Sequence, residues 1–313
     1  MLSRRNVRVK VMQVLYAINR EQSTVATPKA ALRYYNKLVD DSFQLYLYNL
    51  LVLLRVAEYS RQDEIRRSSK LRPSQADTDF TAKLANNPAL QSLAVNTRLN
   101  NAFGRLKQAR QLDADLIRQL YTDFAQTEGY LAYLDTPEGE TKDHQAIYLE
   151  LYKFLLNNET FESILEDHFP LWTDDKSLVV GAMKKTIKAL PVEEDFLDEY
   201  VPEGETIQEF GEKLLEKAIE ADVEMLAVIE PSLKNWDAER VAILDMILIK
   251  MALTEFLYFP SIPTKVTLNE FVEISKLYST DKSKDFINGI LDRLLKKLSE
   301  DGLINKQGRG LKE

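Results

Sequence analysis

Cysteine is missing from all 313 residues, histidine occurs twice, and glycine and proline ten times each. Without cysteine the chain has no disulfide, no thiolate nucleophile and no Cys-ligated zinc or iron–sulfur site. Glycine stands at about 3% against a usual ~7%. The first is Gly104, and none fall into G-x-G-x-x-G or G-x-x-x-x-G-K-[ST]. Backbone phosphate cradles of the Rossmann or Walker kind are thereby excluded. A G-x-S-x-G elbow for a serine nucleophile is missing too. Sustained period-2 alternation is absent and hairpin dipeptides are few, Asn288-Gly289 within an apolar helical run and Asp301-Gly302 in the tail, so strands are not expected. What remains, 45% hydrophobic and 29% charged, reads as an all-α protein with a substantial core.

The two histidines do little to suggest catalysis. Glu162-x-x-x-Glu166-x-His168 sets carboxylates one helical turn apart, whereas a catalytic metal site needs more imidazole or a second matching motif. This stretch reads as a solvated acidic face, and His144 falls in a charged linker. Neither a catalytic residue nor a metal or other cofactor is expected.

Net charge is −8, unevenly placed. Residues 1–120 carry 20 Lys and Arg against 10 Asp and Glu, and the remainder carries 21 against 39. A split of this size suits a polyanion partner in front, although two solvated helical surfaces would look the same. Arg4, Arg5, Arg8, Lys10 and Arg20 precede the first acid, Glu21. Val7, Val11, Val14, Leu15 and Ile18 form one stripe of an amphipathic helix, which is no secretory h-region. A mitochondrial leader stays open as an alternative. Arg5, Arg8, Met12 and Tyr16 share the neighbouring sector. Guanidiniums supply phosphate forks and a phenol supplies a ring for an unstacked base. Solvent-facing arginines with Tyr16 at the rim of a core are the competing reading.

Along the chain, 22–37 reads as a polar connection and helix start, 42–58 as a deeply buried helix, and 66–80 as an exposed loop. Helices resume over 81–133 with breaks near Asn86–Pro88 and Gly104, and 135–143 reads as a linker. Helices follow at 145–156, 159–167 and 176–189. Thr206–Glu209 has the form of a capping box before a helix to Ala227, and Asn235 or Asp237 is placed to cap the next. The apolar run 241–259 contains Asp245, Lys250 and Glu255. A charge at a bilayer centre costs roughly 2.5–3.5 kcal/mol, so the run reads as a bundle's central helix with its charges paired or at its edges. Thr267–Glu270 repeats the capping-box pattern. The last helix should bury Phe286, Ile287, Ile290, Leu291, Leu294, Leu295 and Leu298, with close helix approach at Gly289 and a frayed tail beyond Glu300.

Arg4-Arg5-x-x-Arg8-x-x-x-x-Gln13-x-Leu15-Tyr16 resembles the arginine-rich first helix of the NusB family of transcription antitermination factors. The likeness resumes at Trp236 and runs through DMILIKMALTEF, Pro263-x-x-Val266-x-Leu268-Asn269-Glu270 and Lys276. It ends in Asp281-Lys282-Ser283-x-x-Phe286-Ile287-Asn288-Gly289-x-Leu291-Asp292. The resemblance implies a non-enzymatic, cytoplasmic, RNA-binding helical bundle. Such a protein grips single-stranded boxA-type RNA of ribosomal RNA leaders together with ribosomal protein NusE, in the transcription elongation complex and away from membranes. Arg4, Arg5, Arg8 and Tyr16 carry over as RNA contacts. Asp281, Lys282 and Phe286 carry over from the loop and start of the last helix, with core packing as the rival role for Phe286. Glu239 and Asp245 are the positions assigned to the NusE face, an acidic surface suiting a basic partner.

Length is the departure, since typical members of that family are less than half as long. The division this implies is a first helix at 1–20, a helical insertion at 21–140, the NusB-like bundle at 141–300 and a flexible tail at 301–313. The insertion either widens the RNA-facing surface or serves as a scaffold away from RNA. A helical protein–protein scaffold without an RNA role is the alternative for the whole chain. A ribosomal RNA methyltransferase of the same RNA-binding fold is excluded, because it needs a Gly-rich nucleotide site and a cysteine.

Overall fold

The structure is a computed structural model that describes residues 1–21, 27–136, 139–202, 204–233 and 241–311. Among the described residues every regular element is helical and no helix is long and apolar enough to cross a membrane. The all-α expectation holds. Contacts divide the chain into two units: Met1 with 40–201, and 2–39 with 202–313. The sequence-based division at 20/21 and 140/141 differs from this one. Helices within 141–201 share a single hydrophobic core with those from 45 onward.

α1 (Arg4–Glu21) belongs to the second unit. α2 (Pro28–Ser68) runs for 41 residues and contributes to both. The sequence reads as a connection, a buried helix and a loop here; one helix instead joins 28–37 to the buried stretch and runs on to Ser68, and the loop follows it. Pro28 suits a first helical position, where its missing N–H is not needed, and no glycine or proline interrupts the next 40 residues.

The first unit continues with α3 (Gln75–Asp79), α4 (Pro88–Ala94), α5 (Thr97–Arg105), α6 (Ala114–Phe124), α7 (Glu128–Asp135), α8 (Thr141–Leu156), α9 (Glu159–His168) and α10 (Trp172–Lys188). Many of these starts are set by polar caps: the side chains of Ser74, Asn87, Asn96, Asp113, Thr127 and Asn158 each accept a backbone N–H of the first turn. The core is rich in tyrosine, and several of its hydroxyls find partners. Tyr46 pairs with Thr186 at 2.7 Å, Tyr148 donates to the Leu84 carbonyl at 2.5 Å, and Tyr121 donates to Asp63 at 3.2 Å.

In the second unit a wide helical segment, Thr206–Glu212, precedes α11 (Lys213–Glu220) and α12 (Asp222–Ile229). The expected cap at Thr206 is not formed. The helix opens one residue earlier, and the Phe210 N–H reaches five residues back to the Glu205 carbonyl at 2.9 Å. Gly211 makes this packing possible. A Cβ there would lie 1.9 Å from Tyr35 Oη and 2.6 Å from Val7 Cγ1. α13 (Ile243–Tyr258) is the central helix, packed by α1, α11 and α12 and by α14 (Thr264–Tyr278) and α15 (Ser283–Glu300). Its three charges are all paired, as the sequence demands: Asp245 with two serines, Lys250 with Asp222 at 2.6 Å, and Glu255 with Arg8. The candidate caps Asn235 and Asp237 lie outside the described residues.

Three further expectations are corrected here. The capping box at Thr267–Glu270 does not form: Pro263 precedes the first turn, α14 begins at Thr264, and Thr267 and Glu270 lie inside the helix. Gly289 faces open space instead of a neighbouring helix. The segment after α15 is docked, with the Gln307 N–H donating to the Pro260 carbonyl at 2.9 Å and Gly310 buried.

Candidate functional site

The apolar stripe of α1 fixes its orientation, with Val7, Val11 and Val14 fully buried. Arg8 follows Val7 and is carried inward with it, to 2% exposure. A guanidinium held so far from water requires a matched anion. Glu255 of α13, itself 0% exposed, provides it: Arg8 Nε donates to Oε2 at 2.8 Å and Nη2 to Oε1 at 2.7 Å. The Thr267 hydroxyl donates to the same Oε1 at 2.6 Å. The cation also lies 5.0 Å from the Phe210 ring centre and 5.8 Å from that of Phe271. Arg8 therefore joins α1, α13 and α14 from within. The sequence groups it with the outward-facing contacts, but its fork is already filled.

Arg4 and Arg5 do face outward, about half exposed. Arg5 makes a two-pronged pair with Glu270, at 2.9 and 2.7 Å. Those bonds hold the Glu270 carboxyl below its usual range against the opposing effect of burial, and the charges of Arg5 and Arg8 add to them. Arg4 reaches Glu205 at 3.1 Å and stacks over Phe210 at 5.5 Å. Together with Ser3, Pro263, Val266 and Arg309 these arginines line an open cleft of about 570 Å³. Three exposed guanidiniums, Arg4, Arg5 and Arg309, stand against two carboxylates, Glu205 and Glu270, and make it an anion-seeking surface with an apolar wall.

Tyr16 lies on α1 about 17 Å further along, at 1.5 Å per residue. It is half-buried, accepts a hydrogen bond from Arg20 Nε at 3.1 Å, and has the Arg20 cation 5.6 Å above its ring. Asp281 and Lys282 are exposed in the loop before α15, and Phe286 is half-buried in its first turn. The loop is anchored from beneath. Ser279 and Ser283 both donate to Asp245, at 2.5 and 2.8 Å. Asp245 is thus 5% exposed and offers no carboxylate to a partner. The acid-rich composition suggests an outward role, but the serines on either side of the loop draw it inward. Glu239 lies outside the described residues.

The histidines serve the core of the first unit. His144 is on α8 and not in a linker, and it shares a hydrogen bond of 2.8 Å with Tyr133. Burial and the Lys83 charge push it below the usual imidazole value. His168 packs edge-on against Tyr48, and Glu162 pairs with Lys176 at 2.6 Å. Among the described residues no cluster of three or more His, Asp or Glu is arranged to hold a metal.

Sequence reasoning missed Glu255, Thr267, Glu270 and Phe210 as parts of this site. One signal was present: Arg8 and Glu255 are charges set inside the strongest apolar stretches of their helices.

The profile of the NusB family matches residues 182–296, from within α10 into α15, so α1 precedes the matched range. Three relatives named transcription antitermination protein NusB are similar to this chain. That of Salinibacter ruber (strain DSM 13855 / M31) is 39% identical over 109 residues, 35% of this chain and 68% of the relative. That of Chloroherpeton thalassium (strain ATCC 35110 / GB-78) is 48% identical over 77 residues, 25% and 36% of the two chains. That of Listeria monocytogenes serotype 4a (strain HCC23) is 41% identical over 83 residues, 26% and 65% of the two chains. The last two relatives are thus spanned over less than two thirds of their length. No solved structure matches. With the arginine-bearing first helix set against a central helix inside this matched bundle, the chain belongs to the NusB family.

Proposed function

We propose that this protein is a non-enzymatic transcription antitermination factor that acts in the cytoplasm as part of the elongation complex. It holds single-stranded boxA-type ribosomal RNA together with ribosomal protein NusE. The observation that carries this reading is the pair of outward guanidiniums, Arg4 and Arg5, lining the cleft of a NusB-family bundle. Phosphate recognition needs cations that are held in place yet accessible, and Arg5 meets both conditions. Its fork is preformed on Glu270, so a phosphate exchanges one anion for another at small cost in side-chain entropy. Tyr16, three turns on, offers a ring for a base, and Asp281, Lys282 and Phe286 are further contacts. Arg8 acts from below by holding α1, and Asp245 by holding the loop. The acidic balance of residues 121–313 suits a basic ribosomal partner.

Titrating a fluorescent boxA-type RNA across salt, with and without NusE, tests the reading. Arg5→Ala should weaken binding and reduce the slope of log K against log salt by about 0.7 for a single-strand phosphate contact. Binding equal to that of the unmodified protein at every salt concentration would leave the chain as a protein–protein scaffold.

A further inference from the structure

The segment that follows α15 returns to the far end of α13. Lys306 Nζ donates to the carbonyls of Phe259 and Glu255, at 3.0 and 3.3 Å, and so satisfies acceptors that the helix end leaves open. The Gln307 N–H caps the next carbonyl, Pro260, at 2.9 Å, and the Gly310 N–H closes the turn onto the Gln307 carbonyl at 3.0 Å. Two glycines are needed for this path. Gly308 adopts φ +55°, and a Cβ on Gly310 would lie 2.2 Å from the Pro260 carbonyl oxygen. Such a turn sets its residues in fixed positions, and Arg309 is held between the two glycines.

Arg309 is exposed and forms a wall of the same cleft as Arg4 and Arg5. Its electrostatic situation differs from theirs. Arg4, Arg5 and Arg8 are each paired with a glutamate, whereas Arg309 has no ion pair or hydrogen bond among the described residues. A phosphate entering the cleft must displace Glu205 or Glu270 to gain full access to the arginines of α1. At Arg309 it meets no paired carboxylate among the described residues. The cleft's uncompensated charge therefore comes from a turn beyond the matched family range, which ends at residue 296.

We propose that Arg309 is a backbone-phosphate contact for single-stranded RNA, positioned by the docked turn at 306–310. This rests on the reading that α1 carries the RNA. The turn supplies affinity without base specificity, since a phosphate carries no sequence information.

The test compares Arg309→Gln, Gly310→Ala and Arg5→Ala, each in the full chain, with fluorescent boxA-type RNA over a salt series. Arg309→Gln should lower affinity about three- to tenfold at low salt, the scale of one charge-assisted contact. Its salt slope should fall by about 0.7. Gly310→Ala keeps every charge but displaces the turn, and it should reproduce the loss. Thermal unfolding of both variants should stay close to that of the unmodified protein. If Arg5→Ala weakens binding while Arg309→Gln does not, the role of Arg309 is refuted and the RNA reading stands. A loss with Arg309→Gln but none with Gly310→Ala refutes positioning by the turn. If neither arginine variant changes binding, the RNA reading fails and this proposal with it.

Discussion

Replacing Glu255 by alanine removes the anion around which the second unit is assembled. Two charge-assisted bonds from Arg8 and one from Thr267 are lost together. Arg8, with its side chain 3% exposed, is left near Glu270 at 3.5 Å. Removing one partner of a buried pair costs roughly 3–5 kcal/mol. The remaining contact with Glu270 places this case at the lower end, about 3 kcal/mol. Hydrogen exchange followed by mass spectrometry reads the effect where it arises. Amides of α1, α13 and α14 that exchange through opening of this unit should do so about 100-fold faster. Peptides of the first unit serve as the internal reference. The double variant Arg8→Met with Glu255→Leu removes both charges and should recover most of the loss, since an apolar pair of similar volume often replaces a buried ion pair at no cost. Unchanged exchange in Glu255→Ala would refute the argument. Arg8 would then be free to turn outward, and its role as a direct RNA contact would return.

Gly211→Ala should cost about 1–3 kcal/mol by overpacking, and Tyr35→Phe in the same chain should relieve part of it by removing the nearest atom; urea midpoints of the single and double variants decide this. Glu270 titrates below its ordinary value in the folded chain, so its stabilisation is present above about pH 4.3 and is lost as the pH falls through the lower folded value. Glu270→Gln should flatten that acid limb and strengthen RNA binding by freeing Arg5, and equal or weaker binding would contradict the anion-exchange picture. His144 is likewise held below its ordinary value, here by burial. The unfolded chain takes up the proton first, and stability of the first unit should decline as pH drops below about 6.5. His144→Gln should remove that slope in urea titrations between pH 7.5 and 5.

Much of the fold could be read directly from the sequence, because long amphipathic and apolar runs carry the 3.6-residue period. α1, α8, α9, α13 and α15 follow it closely. Helix ends were harder to read. Thr206–Glu209 and Thr267–Glu270 have the right letters for caps, but a cap is a backbone geometry, and Pro263 starts α14 three residues before Thr267. The site was half legible. Arg5 and Tyr16 follow from the stripe on α1, since one helix fixes their mutual positions, and Arg4 from the family resemblance. The partners of Arg8 and Arg5 lie 247 and 265 residues away, beyond any local pattern. The docked turn was missed for a related reason. Its polar composition suggests fraying, while its order comes from carbonyls at the end of another helix.

The Asp245 clasp separates two duties that many binding loops combine. Ser279 and Ser283 hold the loop by its ends, while the side chains of Asp281 and Lys282 are displayed between them and make no hydrogen bond or ion pair among the described residues. Substitutions at these two positions are therefore nearly free with respect to folding. Under the proposed RNA role, a loop built this way can be retuned towards a different RNA, in evolution or by library selection, without rebuilding the bundle that presents it.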